Sequence, residues 1–362
     1  MTKNTVPRCG VNLTSRPISP KYCIFGAGAV GGTIAAQLAR AGATVSIIAR
    51  GETLAAIQKD GLRLLINGET LQTAVRATAD PAELGPQDYV IIAVKAPSLP
   101  EVASRIAPLL GRETAVVTAM NGVPWWFFAN AKGTFAGKRL TAVDPGGIIA
   151  RAIPASRAIG CVVYMSCAVE APGVIRHDAG RRLIVGEPDN QSSRRVAQLV
   201  KWLRRSGFDC VESTDIRRDI WFKLWGNLSM NPISLLTAAT LDRIIADPLT
   251  HTLCFRMMEE AGRMGEAIGI PATVSIEEIF ERARALGAAK TSMLQDAEHG
   301  KPVEIDALLT VTRDLGRMVG VPTPFIDSVL GLARLKATSL GLLERVAQPE
   351  EWHPQADRQA CD

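Results

Sequence analysis

The segment Ile24-Phe25-Gly26-Ala27-Gly28-Ala29-Val30-Gly31 constrains the fold of this chain more than any other stretch. It ends an apolar run that predicts a short buried strand, and it opens a helical pattern that stops at Gly42. The first glycine permits a tight turn, the second lets backbone N–H groups approach a phosphate, and the third lets helix and strand pack closely. The order of strand, glycine turn, helix and second strand therefore predicts a dinucleotide-binding site formed by Gly26, Ala27, Gly28, Ala29, Val30 and Gly31.

Arg50 lies where the second predicted strand, Ala43 to Ala49, ends. Domains that bind NAD usually carry Asp or Glu there, because a carboxylate accepts hydrogen bonds from the ribose 2′-OH. An arginine cannot accept, but its guanidinium pairs with a 2′-phosphate through two parallel hydrogen bonds. The alternative is an arginine that only contacts solvent at the end of a strand. The first interpretation predicts NADPH as the cofactor and Arg50 as one of its ligands.

Composition limits the classes to which the protein can belong. The net charge is +5, but Lys and Arg are scattered, which argues against nucleic acid and suits an anionic cofactor and substrate. No apolar stretch reaches the roughly 18 residues of a bilayer span, so we expect no membrane association. The seven cysteines show no C-x-x-C pair, which fits free thiols in the cytoplasm. The four histidines are isolated, so no metal site is expected.

The character of the chain changes near Asp215, and its 362 residues are long enough for two domains. Strands alternate with helices before this point, and helices follow one another after it. We therefore expect an α/β fold with an N-terminal Rossmann-like NADP-binding domain, residues 21–214, and an all-helical C-terminal substrate and catalytic domain, residues 215–345. Residues 1–20 are expected to be a disordered extension and residues 346–362 a flexible tail. The helical surfaces allow a homodimer.

Lys95 and Asn121 follow two β-branched runs that are typical of buried parallel strands. Ligands of an open α/β sheet lie just outside the carboxyl ends of its strands. We therefore expect both side chains at the cofactor crevice, although either one alone could be a surface loop residue.

Lys223, Asn227 and Asn231 recur every four residues in a segment rich in Trp, Phe and Leu. This spacing places them on one face of a largely buried helix, where they need polar partners. The alternative is a lysine that reaches solvent and asparagines that cap a helix ending or kinking at Pro232.

A second polar cluster contains Ser292, Asp296 and Glu304, with the break His299-Gly300-Lys301-Pro302 inside it. Helical patterns over residues 274–297 and 304–319 put Ser292 and Asp296 at the end of one helix and Glu304 at the start of the next. Glu304 taken alone is more often a partner of the helix dipole than a catalytic group.

From about Lys21 to Leu343 these motifs together resemble the ketopantoate reductases (2-dehydropantoate 2-reductases). The resemblance implies an NADP-dependent oxidoreductase that reduces a 2-oxo acid, 2-dehydropantoate, to pantoate in pantothenate and coenzyme A biosynthesis. It implies that Lys223 donates the proton and that Glu304 contacts the nicotinamide ribose and helps to orient Lys223. The other implied contacts are to the substrate for Asn121, Asn227, Asn231 and Ser292, and to the cofactor for Asn121 and Ala168.

The chemistry of these residue types agrees with that assignment. Hydride addition to a 2-oxo acid places negative charge on the carbonyl oxygen, which a positioned ammonium both stabilises and protonates. Burial lowers the pKa of a lysine and a carboxylate neighbour raises it, so we expect Glu304 to keep Lys223 protonated near neutral pH.

Two departures from the family pattern bear on the substrate. Asn121-Gly122 is followed by the aromatic insert Val123-Pro124-Trp125-Trp126-Phe127-Phe128, and Ala239-Thr240-Leu241-Asp242 stands where the family often has a further Asn. The aromatic side chains are either ordinary core or part of a reshaped pocket. Two alternatives stay open: a reductase of a different branched or bulkier 2-oxo acid or imine, and a non-enzymatic NADPH-binding sensor.

Overall fold

The computed structural model describes residues 19–131 and 133–343. The proposed tail 346–362, and all but Ser19 and Pro20 of the proposed N-terminal extension, lie outside the described residues. The strands are β1 Lys21–Phe25, β2 Thr44–Ile48, β3 Leu62–Ile66, β4 Glu69–Thr73, β5 Arg76–Thr78, β6 Gln87–Ile92, β7 Leu110–Thr118, β8 Ala158–Ala171, β9 Val174–Gly186 and β10 Asp209–Glu212. The helices are α1 Ala29–Arg40, α2 Gly51–Asp60, α3 Leu99–Arg105, α4 Ile148–Ala152, α5 Arg194–Arg205, α6 Ile216–Thr237, α7 Leu241–Ala246, α8 Pro248–Ala267, α9 Ile276–Arg284, α10 Ser292–Glu298, α11 Val311–Val319 and α12 Pro324–Ser339. Among these helices, none has both the length and the hydropathy needed to cross a bilayer.

All the strands join one sheet in the order β4-β3-β9-β8-β7-β6-β1-β2-β5, with β10 beside β9. From β8 to β5 every neighbouring pair is parallel. The long hairpin β8–β9 and the pair β3–β4 are antiparallel. The carboxyl ends of β1, β2, β6 and β7 therefore meet at one edge, and the helices α6 to α12 follow the sheet. This arrangement confirms the expected α/β fold with a helical C-terminal region.

Helix boundaries differ from the sequence-based expectation at two places. Pro232 does not end α6, which continues to Thr237. The turns on both sides of Pro232 are buried, so packing holds them helical despite the one missing N–H donor. The pattern over residues 274–297 forms two helices, α9 and α10, because Gly287 has a positive φ of 59° and Thr291 caps a new helix. Ser292 therefore begins a helix rather than ending one.

The two faces of the sheet support two cores. Tyr22 and Ile24 point to the face covered by α1 and α5, whereas Cys23 and Phe25 point to the other. The core on that second face continues without interruption into the helical region, where it includes Trp221 of α6. One continuous apolar core therefore fixes α6 against the sheet.

The aromatic insert belongs to this shared core. Trp126 is 1% exposed, and its ring packs against Gly160 of β8. The Phe127 ring centroid lies 6.2 Å from that of Trp221. The amide of Val123 donates a hydrogen bond to the carbonyl oxygen of Ala307, 3.1 Å away. The structure thus supports the interpretation of the insert as core, which ties the end of β7 to the helical region.

Replacing Trp126 with alanine should destabilise the folded chain by about 3–5 kcal/mol, because it empties a site enclosed by the sheet and α6. The measurement is the shift in the urea unfolding midpoint. Leu249→Ala is the control, since this side chain is 81% exposed and its truncation should change stability by less than about 0.5 kcal/mol. Equal midpoints for the two variants would contradict the role of Trp126 in the shared core.

Candidate active site

The turn after β1 brings the start of α1 to the edge of the sheet. Gly26 has a φ of +106°, and a Cβ there would lie 2.7 Å from Cγ1 of Val94. A Cβ on Gly31 would lie 2.1 Å from the carbonyl oxygen of Gly26. Neither glycine can be replaced without moving the backbone. Gly28 is the N-cap residue and has no side chain to cap the helix, so the N–H groups of the first turn are available to a phosphate.

Arg50 lies beside this turn, because Phe25 at the end of β1 pairs with Ile48 at the end of β2. The Arg50 side chain is 62% exposed, and its Nη1 lies 2.6 Å from Oε1 of Glu101. Arg50 and the glycine turn therefore both follow the carboxyl ends of paired strands, β2 and β1. Ala168 follows Cys167 in β8, and the Cys167 side chain contacts Thr33 of α1.

Lys95, Asp296 and Glu304 form an ionic cluster that joins the sheet to the helices. Lys95 Nζ lies 2.6 Å from Oδ2 of Asp296 and 3.8 Å from Oε2 of Glu304. The backbone N–H of Ala96 donates to Oε1 of Glu304 at 3.0 Å. Burial lowers the pKa of Lys95, but the charges of Glu304 and Asp296 outweigh this effect, and the pKa is raised overall. Lys95 therefore carries a positive charge at the crevice.

Lys223 points from α6 toward the carboxyl ends of the strands. Its Nζ donates hydrogen bonds to Oδ1 of Asn121 at 2.8 Å and to the carbonyl oxygen of Val163 at 2.5 Å. Asn121 follows β7 and Val163 is in β8, so the ammonium lies at the junction of sheet and helix. Lys223 is partly buried and its ammonium is held by two acceptors of the sheet region, which argues against the alternative interpretation of a lysine that reaches solvent.

The pKa of Lys223 is lowered from 10.5 to about 8, and burial is the main cause. Glu304 raises the pKa, as expected, but its ion-pair partner is Lys95, whose charge lowers the pKa of Lys223. Burial raises the pKa of the Cys161 thiol to about 12, so this neighbour is neutral near pH 7. Lys223 is therefore mostly protonated at neutral pH and ready to lose its proton.

Asn121, Lys223 and Asn227 line one pocket, together with Met120, Val162, Ile220 and Leu224. The lining of this pocket combines two amides and an ammonium with apolar side chains. Asn231 is buried one turn further along α6, and Ser292 is exposed at the start of α10, which packs against α6. Among the described residues, no three His, Cys, Asp or Glu side chains converge as metal ligands would.

Sequence reasoning assigned no role to two residues that contact the site. Asp296 belongs to the second polar cluster of the sequence, but its ion pair joins it to Lys95, 201 residues earlier, which spacing along the chain cannot show. Tyr164 lies in β8 with its ring centroid 5.5 Å from Nζ of Lys223. No signal in the sequence distinguishes Tyr164 from an ordinary strand residue.

The chain is similar to known proteins over most of its length. The family described as ketopantoate reductase PanE/ApbA matches residues 22–190, and its C-terminal counterpart matches residues 215–337. A 2-dehydropantoate 2-reductase of Mesorhizobium japonicum is 51% identical over 322 residues, which are 89% of this chain and 99% of the relative. A crystal structure from Ralstonia solanacearum MolK2, described as a candidate ketopantoate reductase, has a TM-score of 0.86 and 53% identity, and covers 90% of this chain and 99% of that one. The 2-dehydropantoate 2-reductase of Geobacter metallireducens GS-15 has a TM-score of 0.76 and 28% identity, with 87% and 99% covered. The chain therefore belongs to the ketopantoate reductase PanE/ApbA family.

Proposed function

We propose that this protein is an NADPH-dependent oxidoreductase that reduces 2-dehydropantoate (ketopantoate) to pantoate. The observation that carries the proposal is the partly buried Lys223 ammonium, hydrogen-bonded to Asn121 at the carboxyl edge of a dinucleotide-binding sheet. The relative from Mesorhizobium japonicum, 51% identical to this chain, is named for the same reaction. A lysine whose pKa is lowered to about 8 by burial suits proton transfer, which supports an enzyme over a non-enzymatic sensor.

The cofactor is proposed to lie on the glycine turn, where Gly28 is the N-cap of α1 and no side chain caps the N–H groups of the first turn. Gly26, Ala27, Gly28, Ala29, Val30 and Gly31 are proposed to hold the pyrophosphate of NADPH, and Arg50 its 2′-phosphate. Lys95, Asn121, Ala168 and Glu304 are proposed to contact the remainder of the cofactor. NADPH supplies the hydride when it is bound.

Lys223 is proposed as the general acid. Its Nζ holds a proton beside the pocket, and as negative charge develops on the substrate's carbonyl oxygen, the ammonium first stabilises that charge and then donates the proton. Asn121 accepts a hydrogen bond from Nζ and so fixes the direction in which the third N–H points. Glu304 acts from a greater distance, since its own ion pair is with Lys95.

The residues around Lys223 are of the types that would bind a branched 2-oxo acid. Asn121 and Asn227 offer amide groups that bind a carboxylate or hydroxyl without adding a competing charge, and Asn231 and Ser292 are proposed to add further polar contacts. Met120, Val162, Ile220 and Leu224 in the same lining are apolar and would contact a branched carbon chain.

The proposal also covers the domain bounds, the cellular compartment and the oligomeric state. The sheet ends with β10 at Glu212 and the helices begin at Ile216, which supports domains at 21–214 and 215–345. The five described cysteines are free, which suits a cytoplasmic protein. Exposed apolar side chains on α12, namely Phe325, Leu332 and Leu335, offer a surface for a homodimer.

Replacing Lys223 with alanine should lower kcat for 2-dehydropantoate by at least about 10²-fold, because the general acid is lost, with little change in NADPH affinity. Steady-state kinetics and fluorescence titration with NADPH measure the two quantities. Lys201→Ala, at an exposed position of α5, is the control and should retain the wild-type kcat.

A near-normal kcat for Lys223→Ala would remove Lys223 from the mechanism. The wild type should be assayed with a panel of 2-oxo acids alongside 2-dehydropantoate. A higher kcat/KM for another acid would change the proposed substrate, and NADPH binding with no turnover across the panel would favour a sensor.

The pH dependence follows from the lowered pKa of Lys223. A general acid works in its protonated form, so kcat/KM should be constant below the pKa and fall about tenfold per pH unit above about pH 8. Initial rates between pH 6 and pH 10 measure this. A rate that rises through the same range would show that the deprotonated amine is the active form.

Arg50→Asp should reverse the cofactor preference, because a carboxylate repels a 2′-phosphate and accepts a hydrogen bond from a ribose 2′-OH. The measurement is the ratio of kcat/KM for NADPH to that for NADH. Arg112→Asp is the control, since its side chain is 95% exposed on β7. An unchanged ratio in Arg50→Asp, or a wild type that binds NADH as tightly as NADPH, would contradict the role of Arg50.

A further inference from the structure

We propose that Tyr164 is a positioning residue for the general acid, and that the face of its ring holds the protonated amine of Lys223 in place through a cation–π contact. The inference rests on the proposed function, because it assigns Tyr164 a role only if Lys223 donates the proton.

The geometry is specific to the ammonium. The ring centroid of Tyr164 lies 5.5 Å from Nζ of Lys223, within the distance of about 6 Å at which the negative face of an aromatic ring attracts a cation. Asn121 and the carbonyl of Val163 accept two of the three N–H groups. Tyr164 and Val163 are adjacent in β8, so one strand supplies both a hydrogen-bond acceptor and the ring.

The contact matters because the groups that touch Nζ are otherwise neutral. Asn121 and the Val163 carbonyl carry no charge, and Cys161 of β8 is a neutral thiol. The charged groups that act on Nζ from other elements are Glu304, which raises the pKa of Lys223, and Lys95, which lowers it. Glu304 and Lys95 have opposite effects on the pKa of Lys223, and they form an ion pair with each other. An aromatic face favours the ammonium without the large upward shift in pKa that a contacting carboxylate would cause.

The part of Tyr164 that lies against the Lys223 ammonium is the ring and not the hydroxyl. Burial raises the pKa of that hydroxyl above its ordinary value, while Arg282 of α9 and Arg182 of β9 lower it and Asp219 of α6 raises it. The net shift is upward, so the side chain is a neutral phenol throughout the working range. A phenylalanine should therefore serve as well as tyrosine.

The test compares Tyr164→Leu with Tyr164→Phe in the full-length enzyme, using the pH dependence of kcat/KM for 2-dehydropantoate. Leucine keeps apolar cover over Nζ but removes the aromatic face, so the alkaline limb should move to lower pH by about 0.4 to 1 unit. The plateau at lower pH, where Lys223 is protonated in every variant, should fall much less than the rate at pH 9. Tyr164→Phe should superimpose on the wild type.

Trp202→Leu is the matched control, since the ring of Trp202 in α5 also faces a cation, with Cζ of Arg205 lying 5.0 Å from the ring centroid. Its alkaline limb should not move. A limb that stays in place in Tyr164→Leu overturns the inference, as does a shift in Tyr164→Phe equal to that in Tyr164→Leu. If the leucine variant does not fold, Tyr164→Ile replaces it, because β-branched residues suit a strand. Failure of the proposed function would appear separately, as a near-normal kcat in Lys223→Ala.

Discussion

The site depends on the position of the Lys223 ammonium, which is removed from water where α6 packs against the sheet. Lys223 Nζ reaches Asn121, 102 positions earlier in the chain, and the carbonyl of Val163, 60 positions earlier. Taking a cation out of water is costly, and two neutral acceptors repay only part of that cost. The remainder appears as a pKa lowered to about 8, which is the property a general acid needs near neutral pH.

The rest of the fold keeps the sheet and α6 packed against each other around Lys223. Apolar packing does most of this, since the core on one face of the sheet continues through the aromatic insert into α6. Lys95 adds a polar contact, because it follows β6 and pairs with Asp296 of α10 and with Glu304 in the segment between α10 and α11. The two lysines thus have different roles at one crevice. Lys95 stays protonated in ion pairs with two carboxylates and so links the sheet to the helices. Lys223 lacks a contacting carboxylate among the described residues and can give up its proton.

The aromatic insert shows how a departure from a family pattern can leave the polar site in place. Trp126 and Phe127 turn inward against β8 and α6 and do not line the pocket beside Lys223. They nevertheless fix the loop that carries Asn121, because Val123 is hydrogen-bonded to Ala307 and a Cβ on Gly122 would collide with the same residue. The insert therefore acts on the site through the position of Asn121.

The sequence alone determined the local elements and the residue types of the site. The glycine turn at Gly26 to Gly31, the strand-end positions of Lys95 and Asn121, and the shared helix face of Lys223 and Asn227 follow from spacing, because they depend on neighbours a few positions away. Tertiary structure decided which groups meet across the chain: Glu304 pairs with Lys95, Asp296 joins them, and the Tyr164 ring covers Lys223. It also kept α6 helical through Pro232, since burial of the flanking turns outweighs the local preference of proline. Such contacts depend on the packing of distant segments, which no local pattern encodes.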